Sequence, residues 1–193
     1  MSTFMTKKGE FGYIDRQKRY RCIMILAILV IAVAIFVTGL LLNKMSRANI
    51  FTVFAILCVL PWAKQVVGLV VLFPYHSVTG ERYRRVQAIL EKRGLSDVRL
   101  YTDLVITSPD KIMNLDFAVI GAGQVIVLTG KAGQDTGYIR EYLTKGVHHW
   151  GEFRVKVLDS EKIFVRELEE FEERDVDVEE NSRVDSYIRS LMV

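Results

Sequence analysis

The chain is 193 residues long, 50% hydrophobic and 25% charged, with a mean hydropathy of +0.20 and a formal net charge of +3. That hydrophobicity excludes a disordered chain, and the length excludes several large soluble domains. The charge is divided unevenly: residues 1–73 carry nine Lys/Arg against two Asp/Glu, whereas residues 74–193 carry 17 against 21.

The basic part opens with an arm, residues 1–21, where Lys7, Lys8, Arg16, Lys18, Arg19 and Arg21 stand among Phe4, Phe11, Tyr13 and Tyr20. Such charges set membrane topology, and such an arm can also lie against anionic headgroups. Residues 22–43 form a run of 22 without a charge, enough to cross a hydrocarbon layer of about 30 Å. The run exceeds the apolar core of a signal peptide, about 7–15 residues, and has no small-residue cleavage site. A polar link, Lys44–Asn49, leads to a second apolar stretch from about 49 to 73, interrupted by Pro61 and Lys64-Gln65. Residues 22–73 are therefore predicted to form an α-helical transmembrane hairpin of two helices. Basic residues crowd before the first helix and, as Arg82, Arg84 and Arg85, after the second, with only Lys44 and Arg47 between. The protein is thus expected to be multi-pass in a membrane, with both termini cytoplasmic and membrane lipid as a partner.

Lys64 finds no Asp or Glu on the first helix, and its ammonium is expected to snorkel to the interface, a kink at Pro61 being the competing arrangement. Cys22 and Cys58 both belong to the apolar stretches and give neither a structural disulfide nor a zinc spacing. Cys22 is a juxtamembrane candidate for palmitoylation.

Residues 74–158 read as a small cytoplasmic α/β domain of order α-β-β-β-α-β. Ser77 or Thr79 caps a helix running to about Arg93, on which Tyr83, Val86, Ile89 and Leu90 share a face, with Gly94 at its end. A strand, Val98–Ile106, closes at the turn Ser108-Pro109-Asp110. Two apolar runs, Leu115–Ile120 and Val125–Thr129, flank a four-residue hairpin loop, Gly121–Gln124. Asp135 or Thr136 opens a second helix with the stripe Ile139, Tyr142, Leu143 and Val147, ending near Trp150-Gly151. Phe153, Val155 and Val157 then alternate with Arg154 and Lys156 as a half-buried strand. Residues 159–193 form an acidic C-terminal helical extension. In it Phe164, Leu168 and Phe171 make one apolar face and Val184, Tyr187, Ile188 and Leu191 another, around a solvated linker.

The candidate chemistry lies on the central hairpin. With Gly121–Gln124 as the loop, residues whose numbers sum to about 245 face each other, so Asp116 is expected opposite Thr129 with Lys131 beside them. A carboxylate and a lysine on one face at a strand end suit Mg²⁺-assisted attack on a phosphodiester, Asp116 holding the metal and Lys131 positioning water. The competing reading is a cross-strand ion pair between Asp116 and Lys131 on an exposed sheet edge.

This element order, with Leu115-Asp116, the hairpin and Lys131 after an apolar strand, resembles the PD-(D/E)xK nuclease fold, in particular the nuclease-related domain of bacterial membrane-associated proteins. The resemblance covers about Glu81 to Asp159. It implies catalytic roles for Asp116 and Lys131, with Asp116 a metal ligand, but the acidic residue expected two before the lysine is here Thr129. Glu81 or Glu91 stands where that family has a helix carboxylate. A hydroxyl is a poor Mg²⁺ ligand, and an acidic domain disfavours nucleic acid as a partner.

Other motifs are weaker. Gly121-Ala122-Gly123 lacks the third glycine of a dinucleotide loop, and Gly130-Lys131-Ala132-Gly133 lacks the P-loop pattern. His148 and His149 point about 100° apart on a helix and suit its C-terminal dipole better than a shared metal. The sequence thus points first to a non-catalytic scaffolding or regulatory module binding protein partners, or a homo-oligomer, at the inner membrane face. A membrane-tethered metal-dependent nuclease, or its inactive nucleic-acid-binding derivative, is the alternative, with Mg²⁺ as the cofactor in that case and none otherwise. A subunit of a transport or secretion assembly is the second, with Gly39, Ala27, Ala32 and Ala34 as small helix-packing positions.

Overall fold

The computed structural model describes residues 7–42, 50–95, 98–171 and 178–193. The link at 44–49 and residues 172–177 of the acidic linker lie outside the described residues. The chain divides into two compact units, one built on residues 14–75 and the other on 76–193 together with the arm segment ending at Tyr13.

In the first unit, helix α1 (Tyr13–Leu42) starts nine residues before the uncharged run. Nothing from Asp15 to Arg21 breaks a helix, whereas Gly9 and Gly12, at φ 82° and 78°, stop it upstream. The charged residues from Asp15 to Arg21 are thus helical and continuous with the apolar run. Two shorter helices follow, α2 (Ile50–Leu57) and α3 (Val59–Leu72). Pro61 cannot donate to the carbonyl of Leu57, and its ring crowds that turn, so the helix is interrupted at Cys58. The bonds Cys58 N–Phe54 O (3.2 Å) and Trp62 N–Cys58 O (3.3 Å) carry the ladder across. Helix α1 and the 23-residue stretch Ile50–Leu72 are both long and apolar enough to cross a membrane. The start of α1 meets the end of α3. Lys18 Nζ donates to the carbonyls of Phe73 (3.2 Å) and Tyr75, and a side chain at Gly68 would overlap the Arg21 guanidinium. Gly39 is buried while Ala27 and Ala34 face outward, and both cysteines are free thiols.

The second unit runs α4 (Gly80–Lys92), β1 (Arg99–Thr107), β2 (Ile112–Gly121), β3 (Gln124–Thr129), α5 (Thr136–Val147), β4 (Arg154–Leu158), α6 (Glu161–Glu169) and α7 (Val178–Leu191). The sheet order is β1-β2-β3-β4, an antiparallel meander closed by β4 parallel to β3. Helix α4 ends where Gly94 turns to φ 70° and the Leu95 amide bonds back to the Leu90 carbonyl at 3.2 Å. Asp135 caps α5 by accepting from the Tyr138 amide at 3.0 Å. The β2–β3 connection is tighter than a four-residue loop: Gly121 pairs with Gln124, leaving Ala122 and Gly123 at φ 47° and 70°. Positive φ at both central residues is the type I′ geometry that matches strand twist.

Each face of the sheet is covered by two helices. Tyr101, Leu104, Ala118, Val125 and Val127 pack with α5 and α7, while Phe117, Val119, Ile126 and Leu128 pack with α4 and α6. Helices α6 and α7 thus belong to the two cores. Phe164, Leu168 and Phe171 fill one core and Val184, Ile188 and Met192 the other. The arm also joins the sheet: Gly9 O accepts from Thr102 N at 2.9 Å, and Val193 N donates to Val105 O at 3.0 Å, so both segments close the outer edge of β1.

Candidate functional site

The sheet carries two irregular residues opposite each other. Pairing of β1 with β2 keeps one register from Arg99–Ile120 to Thr107–Ile112 and is interrupted only where Asp103 lies opposite Asp116. On β3, Leu115 pairs with Thr129 and Phe117 with Leu128, so Asp116 is an extra, bulged residue. The expected Asp116–Thr129 pairing is corrected accordingly: the predicted register holds from Phe117 to the turn and slips by one at the bulge. The bulge also reverses the alternation. Met113 and Leu115 face the α5/α7 core, as do Ala118 and Ile120, whereas Phe117 faces α4 and α6. Asp103, at φ 58°, does the same to β1 between Tyr101 and Leu104.

Asp116 consequently turns toward α4 and α6. Its Oδ2 lies 2.6 Å from Arg82 Nη1, and Arg82 Nε reaches Glu161 Oε2 at 2.8 Å. The Arg82 guanidinium sits 5.5 Å from the centre of the Phe117 ring. Burial pushes the Asp116 carboxyl above its ordinary range; Arg82 opposes that rise and Glu161 adds to it. For Arg82 burial acts downward, but its two carboxylate partners outweigh it and hold the guanidinium above its usual value. The result is a clasp that fastens the first turns of α4 and α6 to the central strand β2.

Gly130 closes the other side of Asp116. A methyl group there would overlap Asn114 Oδ1 and Asp116 Oδ1, so this position requires the absence of a side chain. Gln134 pairs with the Asn114 backbone as a strand would, accepting from its amide at 2.9 Å and donating to its carbonyl at 2.7 Å. Lys131 lies exposed in the turn after β3, its carbonyl accepting from Gln134 Nε2 at 3.3 Å. Asp116 is thus paired with Arg82, not Lys131, and β2 is an interior strand, so an edge ion pair does not describe it. Thr129 is buried. Glu81 and Glu91 are both exposed, and the α4 residue that reaches Asp116 is the cation between them in sequence, Arg82. Among the described residues no three His, Cys, Asp or Glu side chains converge on a possible metal position. His148 is the exposed C-cap of α5, and the His149 ring meets Trp150 edge-on at 5.2 Å.

Asp103 is 2% exposed and gathers the chain that flanks the two long helices. It accepts from the Val78 amide at 2.8 Å, and the Ser77 hydroxyl and the amides of Gly12 and Tyr13 also bond to it. Burial raises its pKa, and these donors oppose the rise. On the opposite face Asp185 of α7, 4% exposed, accepts from Tyr101 Oη and lies 3.2 Å from Arg99. Burial, then Asp185, pushes the Tyr101 hydroxyl up to about 12.

Arg82, Glu161, Asp103 and Gln134 are the residues that sequence reasoning missed. Arg82 was visible only as a topology charge, and Glu161 lay beyond the expected domain boundary. Comparison with known proteins finds no matching family model, no matching curated protein and no matching solved structure.

Proposed function

We propose that this chain is an integral membrane protein, both termini cytoplasmic, whose α/β domain is a non-catalytic scaffolding or regulatory module for protein partners at the inner membrane face. The observation that carries this reading is the Asp116–Arg82–Glu161 clasp. Asp116, the carboxylate that the sequence nominates as metal ligand, is paired with a guanidinium at 2.6 Å and used to join two helices to the sheet. The membrane part is supported by the outward apolar side chains of α1 and α3, such as Leu26, Leu41, Leu60 and Val67.

The metal-dependent nuclease stands as the second reading, favoured by the succession α4-β1-β2-β3-α5-β4, the order that the resemblance implies, and by a bulge at Asp116, since bulges re-aim side chains near active sites. The full chain in detergent, titrated with Mg²⁺ and Mn²⁺ and assayed on DNA and RNA, separates the two. The scaffold reading expects no metal-dependent cleavage from the parent, Lys131→Ala or Thr129→Glu. Cleavage by the parent that Lys131→Ala abolishes overturns it.

A further inference from the structure

We infer that the basic end of the helical hairpin holds the phosphate of one anionic phospholipid between Arg21 and Lys64. The inference rests on the reading of the two long helices as membrane-spanning and adds to it a site and a ligand class.

The contacts within the hairpin set the level of the membrane boundary. Arg21, the last charged residue before the apolar run of α1, packs its guanidinium directly over Gly68 of α3. Lys18, one turn earlier, caps the carbonyls of Phe73 and Tyr75 beyond the end of α3. The interface is therefore placed level with Gly68, while the apolar residues of α3 run on to Leu72 beside the charged turns of α1. From Ile50 to Gly68 the helical rise is roughly 28 Å, which fits a hydrocarbon layer of about 30 Å. Residues after Gly68 stand beside the charged turns of α1.

Lys64 changes meaning with that boundary. It lies one turn, about 6 Å, inside Gly68, on the same face of α3, because residues four apart are helix neighbours. Its stem is long enough to bring the ammonium to the level of the Arg21 guanidinium. Lys64 is exposed, and Arg21 Nε is buried with no hydrogen-bond acceptor. Gly68 supplies the recess: any side chain there would displace the guanidinium. Two cations at one interfacial level, one with a buried unsatisfied donor, offer donors to the oxygens of a phosphodiester and more positive charge than its single negative charge neutralises, which favours a lipid without a cationic headgroup. A lipid headgroup brings that phosphate to this depth with its acyl chains along the apolar helices.

The test uses the full chain in nanodiscs containing equal phosphatidylcholine and phosphatidylglycerol, with retained lipid counted by native mass spectrometry. The parent is expected to retain one phosphatidylglycerol in preference to phosphatidylcholine. Arg21→Gln and Lys64→Gln should each lower that retention about fivefold, and Gly68→Leu should act like Arg21→Gln by expelling the guanidinium. Arg19→Gln, which removes an exposed charge two residues from Arg21, should leave retention unchanged. Equal retention in the parent, Arg21→Gln and Lys64→Gln overturns the site, as does an equal fall in Arg19→Gln, which marks diffuse attraction. Alkaline carbonate extraction of the parent tells the two failures apart. A chain that stays in the membrane pellet without lipid preference sinks the site alone, and a chain that is released sinks the membrane reading with it.

Discussion

The two units sort the same residue types in opposite directions. In α1, Leu26, Leu29, Val30 and Leu41 are 48–73% exposed, whereas in the α/β unit Leu104, Phe117 and Phe164 are at 0%. Apolar burial stabilises by roughly 25 cal/mol per Å² only where something covers the surface. The α/β unit provides that cover itself, with helices on both faces of its sheet. The hairpin covers few of its own apolar side chains, Ile14 and Leu72 among them, and the contacts of Lys18 with carbonyls and of Arg21 with Gly68 are polar or small. Hydropathy alone therefore says how much apolar surface a segment owns, and its periodicity says who must cover it.

The contrast is broken most sharply by removing a covered ring. Phe164→Ala, which also deletes the stack with Phe117 at 5.8 Å, is expected to cost about 3–5 kcal/mol. Leu29→Ala in α1 should change the stability of the α/β unit by under about 0.5 kcal/mol. Hydrogen exchange of the β2 and β3 amides in the detergent-solubilised chain measures both, and equal losses would mean that the two units do not unfold separately. A smaller effect is expected at the clasp. Arg82→Ala leaves Asp116, 13% exposed, without its cation and should cost about 2 kcal/mol, less than a fully buried pair because Arg82 is 31% exposed. In an Asp116→Asn background the same substitution should cost visibly less. Additive losses would show that the two side chains are not coupled.

The smallest effect concerns pH. Asp103 has its folded-state pKa raised by burial, so between the ordinary carboxylate value of 3.8 and that higher value the folded chain binds more protons than the unfolded one. Its contribution to stability therefore falls as pH rises through that window and is recovered on acidification, the reverse of a salt-bridged carboxylate. Asp103→Asn, which keeps an acceptor and tolerates the φ of 58°, should flatten that part of the stability profile. A profile identical to the parent's would assign the slope to other groups.

Most elements were legible because their signals are local. The stripe Ile139, Leu143 and Val147, the cap at Asp135 and the break at Gly94 each announce themselves within one turn of chain. The candidate site was not legible, for a specific reason. Leu115, Phe117, Ala118, Val119 and Ile120 are all apolar and all buried, since β2 is covered on both faces, so no alternation revealed where its parity reverses. Without the bulge, Asp116 reads as facing Thr129. With it, Asp116 faces a cation 34 residues earlier on a helix whose charges looked like topology signals. The apolar faces of α6 and α7 were legible despite the acidity of residues 159–193, because charge density marks the outer side of a helix while the spacing of Phe164, Leu168, Val184 and Ile188 marks the inner one.

Asp103 gives the sheet a mechanical character. The backbone of Gly12 and Tyr13, just before α1, and that of Val78, just after the hairpin, converge on one carboxylate at an edge strand. A pull on either segment is therefore delivered to the same carboxylate and shared by amides from both. Load on either segment reaches the same point of β1, and on the arm side the Gly9–Thr102 backbone bond takes part of it.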